Sequence, residues 1–113
     1  RRTKMKDHFT LEKCEQVSDI LKSLSHPHRL WILCILSEGE KTVNEIVDEV
    51  DLPQPTVSRH LIRMKREGIL DCRREGQYIY YSIHDPKVMS LMTSMYEIFC
   101  MPSRKKDDQS KEE

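Results

Sequence analysis

The chain has 113 residues, 37% of them hydrophobic and 34% charged, and its 19 Lys+Arg balance its 19 Asp+Glu to a formal net charge of zero. That length holds one domain with a modest core, and a neutral total argues against a promiscuous basic coat on nucleic acid. No apolar run approaches the ~20 residues of a membrane span and Arg1-Arg2 leads into TKMKDHFT rather than an apolar leader, so a cytoplasmic protein without membrane contact is expected.

Residues 1–10 are polar and read as a flexible N-terminal segment. From Leu11 to Leu24, the residues Cys14, Val17, Ile20, Leu21 and Leu24 recur at helical spacing, which predicts a first amphipathic helix. Ser25 is the expected N-cap of a second helix, with Pro27 in its first turn. That helix carries LWILCIL (Leu30 to Leu36), apolar nearly all round, so it is expected at the centre of the core with Trp31 buried in it. Glu38-Gly39-Glu40 ends it. Thr42 and Glu45 form a capping box for a short third helix whose apolar side is Val43, Ile46, Val47 and Val50. Asp51-Leu52-Pro53 then turns the chain into the next element.

The stretch from Leu52 to Tyr81 carries the charge asymmetry. Pro53 and Pro55 suit a helix start, where a missing N–H costs nothing. Val57, Leu61 and Met64 fall on one side, leaving Gln54, Thr56, Ser58, Arg59, His60 and Arg63 largely free to face outward. Gly68 is placed to cap the helix end, and Glu75-Gly76 reads as a hairpin turn between basic and aromatic strands. Six Lys/Arg against two acids lie between Pro53 and Arg74, whereas the preceding Glu40 to Asp51 holds five acids and one lysine. Two helices joined by a short turn form a helix-turn-helix, and the hairpin makes it winged. A short polar helix followed by a basic hairpin suits a DNA major groove and its flanking phosphates.

Asp85-Pro86 starts a last helix running to about Cys100. Val88, Leu91, Met92, Met95 and Phe99 form its stripe, and Met89, Tyr96 and Ile98 widen it. That is more apolar surface than one such chain needs, and a partner helix from a second subunit is the simplest cover. The expected fold is mainly α with a small β-hairpin wing, a homodimeric winged helix-turn-helix spanning residues 11–101. Residues 102–113 (PSRKKDDQSKEE) read as a disordered charged tail.

SLSHPHRLWILCIL, TVNEIVDEVDLPQPTVSRHLIRMKREGIL and RREGQYIYYSI together resemble the ArsR/SmtB family of small dimeric winged-helix repressors. The resemblance covers about Leu21 to Cys100. It implies a homodimer through the first and last helices, a reading helix in the major groove of operator DNA, and an inducer that lowers DNA affinity. By position, Gln54, Thr56, Ser58, Arg59 and His60 match the family's groove-facing residues, and Arg73, Arg74 and Gln77 its wing. Arg59, Arg63 and the wing arginines would neutralise phosphates, which makes binding salt-dependent.

The family's metal sensors place thiolates in the third helix or Asp/His ligands in the last. Here VNEIVDEV holds neither Cys nor His, and the segment from Asp85 to Cys100 holds no His. The remaining placement, Cys34 in the second helix and Cys100 at the end of the last, resembles the family's dithiol branch, the persulfide- or oxidant-responsive repressors of the SqrR, BigR and HlyU type. Reactive sulfur species or an oxidant would then be the inducer, one thiol attacking and the other resolving. In a reducing compartment, four cysteines are candidates for reactivity or metal binding. Cys34 in an apolar run can also be a small buried hydrophobe, and Cys14 and Cys72 are assigned no role.

Two other readings stay open. One is a metal- or arsenite-responsive repressor using some combination of the cysteines, since soft thiolates suit such ions. The other is a dimeric protein-interaction module without DNA. The five histidines (His8, His26, His28, His60, His84) show no ligand spacing, so no metal site and no cofactor is expected from them. No catalytic constellation is visible, and the chain is not expected to be an enzyme.

Overall fold

A computed structural model of the chain describes residues 4–101, so the charged tail expected over 102–113 lies outside the described residues. Within the N-terminal segment, Met5–Asp7 makes one 3-10 turn. Helix α1 spans Leu11–Leu24, capped by the Thr10 side chain accepting from the Lys13 N–H. Helix α2 follows at Pro27–Leu36, strand β1 at Lys41–Thr42, α3 at Val43–Val50 and α4 at Gln54–Arg66. Strands β2 (Leu70–Glu75) and β3 (Tyr78–Ile83) form the wing, and α5 runs Pro86–Phe99. The result is the expected winged helix-turn-helix.

Four local expectations change. Ser25 does not cap α2 but closes α1; His26 is the cap, its Nδ1 accepting from the His28 N–H at 3.2 Å. An imidazole acceptor one residue closer to Pro27 does the work assigned to the hydroxyl. Trp31 is not a core residue, being 45% exposed. A helix on the edge of a small core buries one stripe, and Ile32, Leu33, Ile35 and Leu36 supply it while Trp31 and Cys34 fall outside. The sheet has a third strand, with order β1-β3-β2, because Lys41 and Thr42 pair with Tyr81 and Tyr80. Finally, the hairpin turn is Gly76-Gln77 rather than Glu75-Gly76, since Glu75 pairs with Tyr78. Gly76 has φ +66, and a positive φ at the first of two loop positions is the pattern of a type II′ turn.

The core gathers Leu24, the α2 stripe, Ile46 and Val50 of α3, Val57, Leu61 and Met64 of α4, Ile69, Leu70 and Tyr81 of the wing, and Val88 and Met92 of α5. The turn between α3 and α4 uses Asp51 in the left-handed region (φ 54, ψ 42) as the α3 C-cap, a conformation Asp tolerates better than most residues. The Thr42–Glu45 capping box forms as expected. At the other end of α4, the Gly68 N–H bonds to the Lys65 carbonyl and the Ile69 N–H to the Met64 carbonyl, both at 3.0 Å. That pair is a Schellman motif, and Gly68 takes its left-handed position with φ +84.

Arg29 ties three helices together. It is 7% exposed, and its Nη1 donates to the Ser23 carbonyl at 2.9 Å and to Glu67 Oε1 at 3.1 Å. The Ser23 hydroxyl donates to the same carboxylate at 2.9 Å. A buried guanidinium is thus satisfied by the end of α1 and the residue just after α4.

Leu61 is fully buried, and truncating it removes methylenes from the centre of the α4 seam. Leu61→Ala is expected to lower the unfolding free energy by about 2–5 kcal/mol, read as a lower urea midpoint at unchanged slope.

Candidate functional site

Helix α4 buries Val57, Leu61 and Met64 completely. At 100° per residue, those three positions face the core and Arg59 and Arg66 point away from it. Of the residues singled out from sequence, Gln54, Arg59, Arg63, Arg74 and Gln77 are exposed, and Thr56 and Ser58 are half-buried. Gln77 sits at the tip of the wing as the second residue of its turn. The basic C-terminal end of α4 (Arg63, Lys65, Arg66) also places positive charge where the helix dipole is negative.

His60 departs from its expected position. It is half-buried and its ring lies 4.8 Å from that of His26 and 5.8 Å from that of His28, centroid to centroid. It therefore faces the start of α2 rather than open solvent. Burial, then the nearby His26 and Arg29, hold its pKa below the ordinary histidine value, so the ring is neutral at neutral pH. Arg63 lines, with His26, Arg29, His60, Asp19 and Lys22, an open cleft of about 570 Å³ between α1 and α4. One side of α4 is thus turned toward the body of the molecule.

The wing arginines differ from one another. Arg73 lies opposite Tyr80 in the β2–β3 register, and its guanidinium carbon sits 4.5 Å over that ring. Its Nε donates to Glu40 Oε2 at 3.1 Å and its Nη1 to Glu75 Oε1 at 2.6 Å. The hydrogen bond to Glu40 and then that to Glu75 raise the Arg73 pKa further, and the Arg73 hydrogen bond lowers that of Glu40. The ion pair is solvent-facing, with half of the Arg73 side chain exposed, so it is readily exchanged for another anion. Among the described residues, Arg74 donates only to the Gly76 carbonyl, at 3.4 Å, and has no ion-pair partner there.

The two cysteines expected to act together do share a cleft. Cys34, Ser37 and Glu38 from the end of α2, with Met92, Thr93, Tyr96 and Cys100 from α5, line a space of about 480 Å³. Cys100 is the C-cap of α5, its N–H bonded to the Tyr96 carbonyl. Both cysteines are free and exposed on their elements, so Cys34 is not the buried hydrophobe its apolar run suggests. Within the cleft its sulfur is nonetheless partly desolvated. That burial, then the neighbouring Cys100, pushes the Cys34 thiol above its ordinary value. Among the described residues, no lysine or arginine lines this cleft. The pair is held ready by proximity, not by an acidified Cys34. Cys14 lines a separate groove with Phe9, Val17 and Leu21, and half-buried Cys72 lies opposite Tyr81 in the sheet.

Sequence spacing misses one grouping. His26, His28 and His60 offer ligand atoms that all lie within 4.8 Å of one another. Only the packing of α4 against the start of α2 brings them together.

The family model described as "Bacterial regulatory protein, arsR family" matches residues 26–71. The "Biofilm growth-associated repressor" of Agrobacterium fabrum is 38% identical over 91 residues, covering 80% of this chain and 78% of that protein. The crystal structure of the transcriptional repressor BigR from Xylella fastidiosa superposes with a TM-score of 0.79 at 34% identity, covering 88% of this chain and all of that one. A homodimeric winged helix-turn-helix DNA-binding domain from Mycobacterium bovis superposes with a TM-score of 0.68 at 30% identity, covering 80% of this chain and 84% of that one.

Two outcomes are expected from this geometry. Alkylation of Cys34, followed by peptide mass spectrometry, should be slower at neutral pH than that of an ordinary exposed thiol, because burial raises its pKa. Replacing Glu40 and Glu75 together by Gln should free Arg73 for a phosphate, tightening binding to duplex DNA and steepening its log–log salt dependence by about one.

Proposed function

The chain belongs to the arsR family of bacterial regulatory proteins, and from that premise we propose that it is a homodimeric repressor released from operator DNA when Cys34 and Cys100 are joined. It is a DNA-binding transcriptional regulator, not an enzyme. In the proposed complex, the outward side of α4 enters the major groove with Gln54, Ser58 and Arg59 toward base edges and phosphates. Arg63, Arg66 and the wing tip at Arg74 and Gln77 meet the backbone to either side. Thr56 is half-buried and acts at the margin of that surface. His60, turned inward, is a support rather than a reader.

The dimer is supported by what the single chain leaves uncovered. Only Leu24 of α1 and Val88 and Met92 of α5 are buried. Leu11, Leu21, Tyr96, Ile98 and Phe99 stand 49–79% exposed on the same two helices. Exposed apolar surface on this scale marks an association site, and a second copy of the same two helices is the closed solution.

The shared cleft is the observation that carries the switch. A Cys34 thiolate attacks the outer sulfur of a small persulfide, forming Cys34–S–SH and expelling the small thiolate. The Cys100 thiolate then attacks the Cys34 sulfur, closing a disulfide and releasing hydrosulfide. Where the two sulfurs are too far apart for a direct bond, additional sulfane sulfur bridges them. With peroxide the first product is a sulfenic acid and the resolving step releases water. Either bond staples α5, a proposed dimer helix, to α2, which also bears Arg29 and the α4 contacts. A coupling of ~1–3 kcal/mol is enough to change DNA affinity usefully. The thiolate metal or arsenite reading has less support: among the described residues, the only group of three ligand-type side chains is the histidine one. A docking module without DNA is not favoured by any feature of α4 or the wing.

Cys34→Ser and Cys100→Ser are each expected to bind operator DNA as the parent chain does and to stay bound in polysulfide. Gel-shift titration measures this, and release of either variant at the parent's dose removes the dithiol switch.

A further inference from the structure

His60 is the one expected groove-facing side chain that the fold turns back onto the body of the protein, and it meets two further imidazoles there. His26 is the N-cap of α2 and His28 lies in its first turn, and the three rings are tilted or edge-on with centroids 4.8–5.8 Å apart. We propose that His26, His28 and His60 form a binding site for a divalent transition metal of the zinc class, at the joint between the start of α2 and α4 and separate from the Cys34–Cys100 cleft.

Imidazole nitrogen suits zinc, cobalt, nickel and copper. Zn–N bonds of ~2.0–2.1 Å at tetrahedral angles put ligating nitrogens roughly 3.3 Å apart. The candidate nitrogens lie within 4.8 Å of one another, so rotation about side-chain bonds closes the remainder. His28 and His60 are half-buried, which limits the rotamer freedom still to be lost on binding. Three imidazoles leave a fourth position for water at this solvent-facing edge.

Two features oppose binding and both are small. His26 uses its Nδ1 lone pair to accept from the His28 N–H, a long bond of 3.2 Å. A neutral imidazole has one in-plane lone pair, so coordination by His26 gives that cap up. Arg29 and Arg59 lie near the rings and Lys22 and Arg63 line the cleft that His26 and His60 share, but Arg29 is paired with Glu67 at 3.1 Å, and Asp19 and Glu67 line the same cleft. A bound metal would fasten the middle of the reading helix directly to α2, through side chains that share no hydrogen bond across the two helices.

The test is a Co²⁺ titration of the reduced full chain followed by visible absorption. Expected is one Co²⁺ per chain with ligand-field bands, no thiolate-to-cobalt charge-transfer band, and unchanged affinity in a Cys34→Ser/Cys100→Ser variant. His28→Gln should weaken Co²⁺ binding at least tenfold while metal-free operator affinity stays within twofold. His26→Asn, which keeps a good N-cap acceptor, should lose Co²⁺ in the same way, so that one variant's folding does not decide the matter. Ligand-field bands that never develop at millimolar Co²⁺, equal affinity in both histidine variants, or a charge-transfer band abolished by the cysteine variants would each overturn the site. In those cases the three rings are packing alone, or the metal belongs to the thiols.

Discussion

The reading head depends on one seam. Val57, Leu61 and Met64 are fully buried against α2, α3 and the wing, and a helix that buries three residues at that spacing has no freedom to rotate about its axis. The direction of Arg59 and Arg66 follows from it. Arg29 fixes the far end, because a guanidinium that is 7% exposed must find acceptors, and Ser23 and Glu67 are where it finds them. Hydrophobic burial sets which face of α4 is outward, and the buried cation sets where the helix stops relative to α1.

Electrostatics then works by subtraction. The total charge is zero, and the most elaborated arginine of the wing, Arg73, is held by Glu40 and Glu75 and laid over Tyr80. A phosphate reaching Arg73 must displace carboxylates, which lowers the gain from that contact and makes it more dependent on geometry than on bulk attraction. Arg59, Arg66 and Arg74 carry no such competitor among the described residues. A regulator that must come off its site is served by an interface whose charge is partly spent internally.

The proposed switch follows the same economy. Cys34 is not acidified, being pushed up by burial and then by Cys100, and Cys100 stands across the cleft from it as the C-cap of α5. A slow thiol with a second one across the cleft favours reagents that leave a reactive sulfur in place for that second thiol to attack. In this proposal the bond would act on DNA binding because it would join α2, which bears the core stripe, to α5, which bears the uncovered apolar face.

Much of this was legible in the chain itself. The 3.6-residue recurrence of Val57, Leu61 and Met64, the Thr42–Glu45 box, Gly68 as a left-handed cap and the proline-marked starts of α4 and α5 are local signals with local causes. They determine the elements and therefore the winged helix-turn-helix. What they do not contain is which neighbour each side chain meets. Trp31 looks like core from its run and is 45% exposed, because only the stripe facing α3 and the sheet is covered. β1 is two residues long and exists only by pairing with Tyr80 and Tyr81. The neutralisation of Arg73 by Glu40 spans 33 positions, and the meeting of His60 with His26 and His28 joins two helices. Periodicity and capping are written within a few residues and so belong to the sequence; contacts between distant charges and rings depend on how the helices cross, which the tertiary structure alone decides.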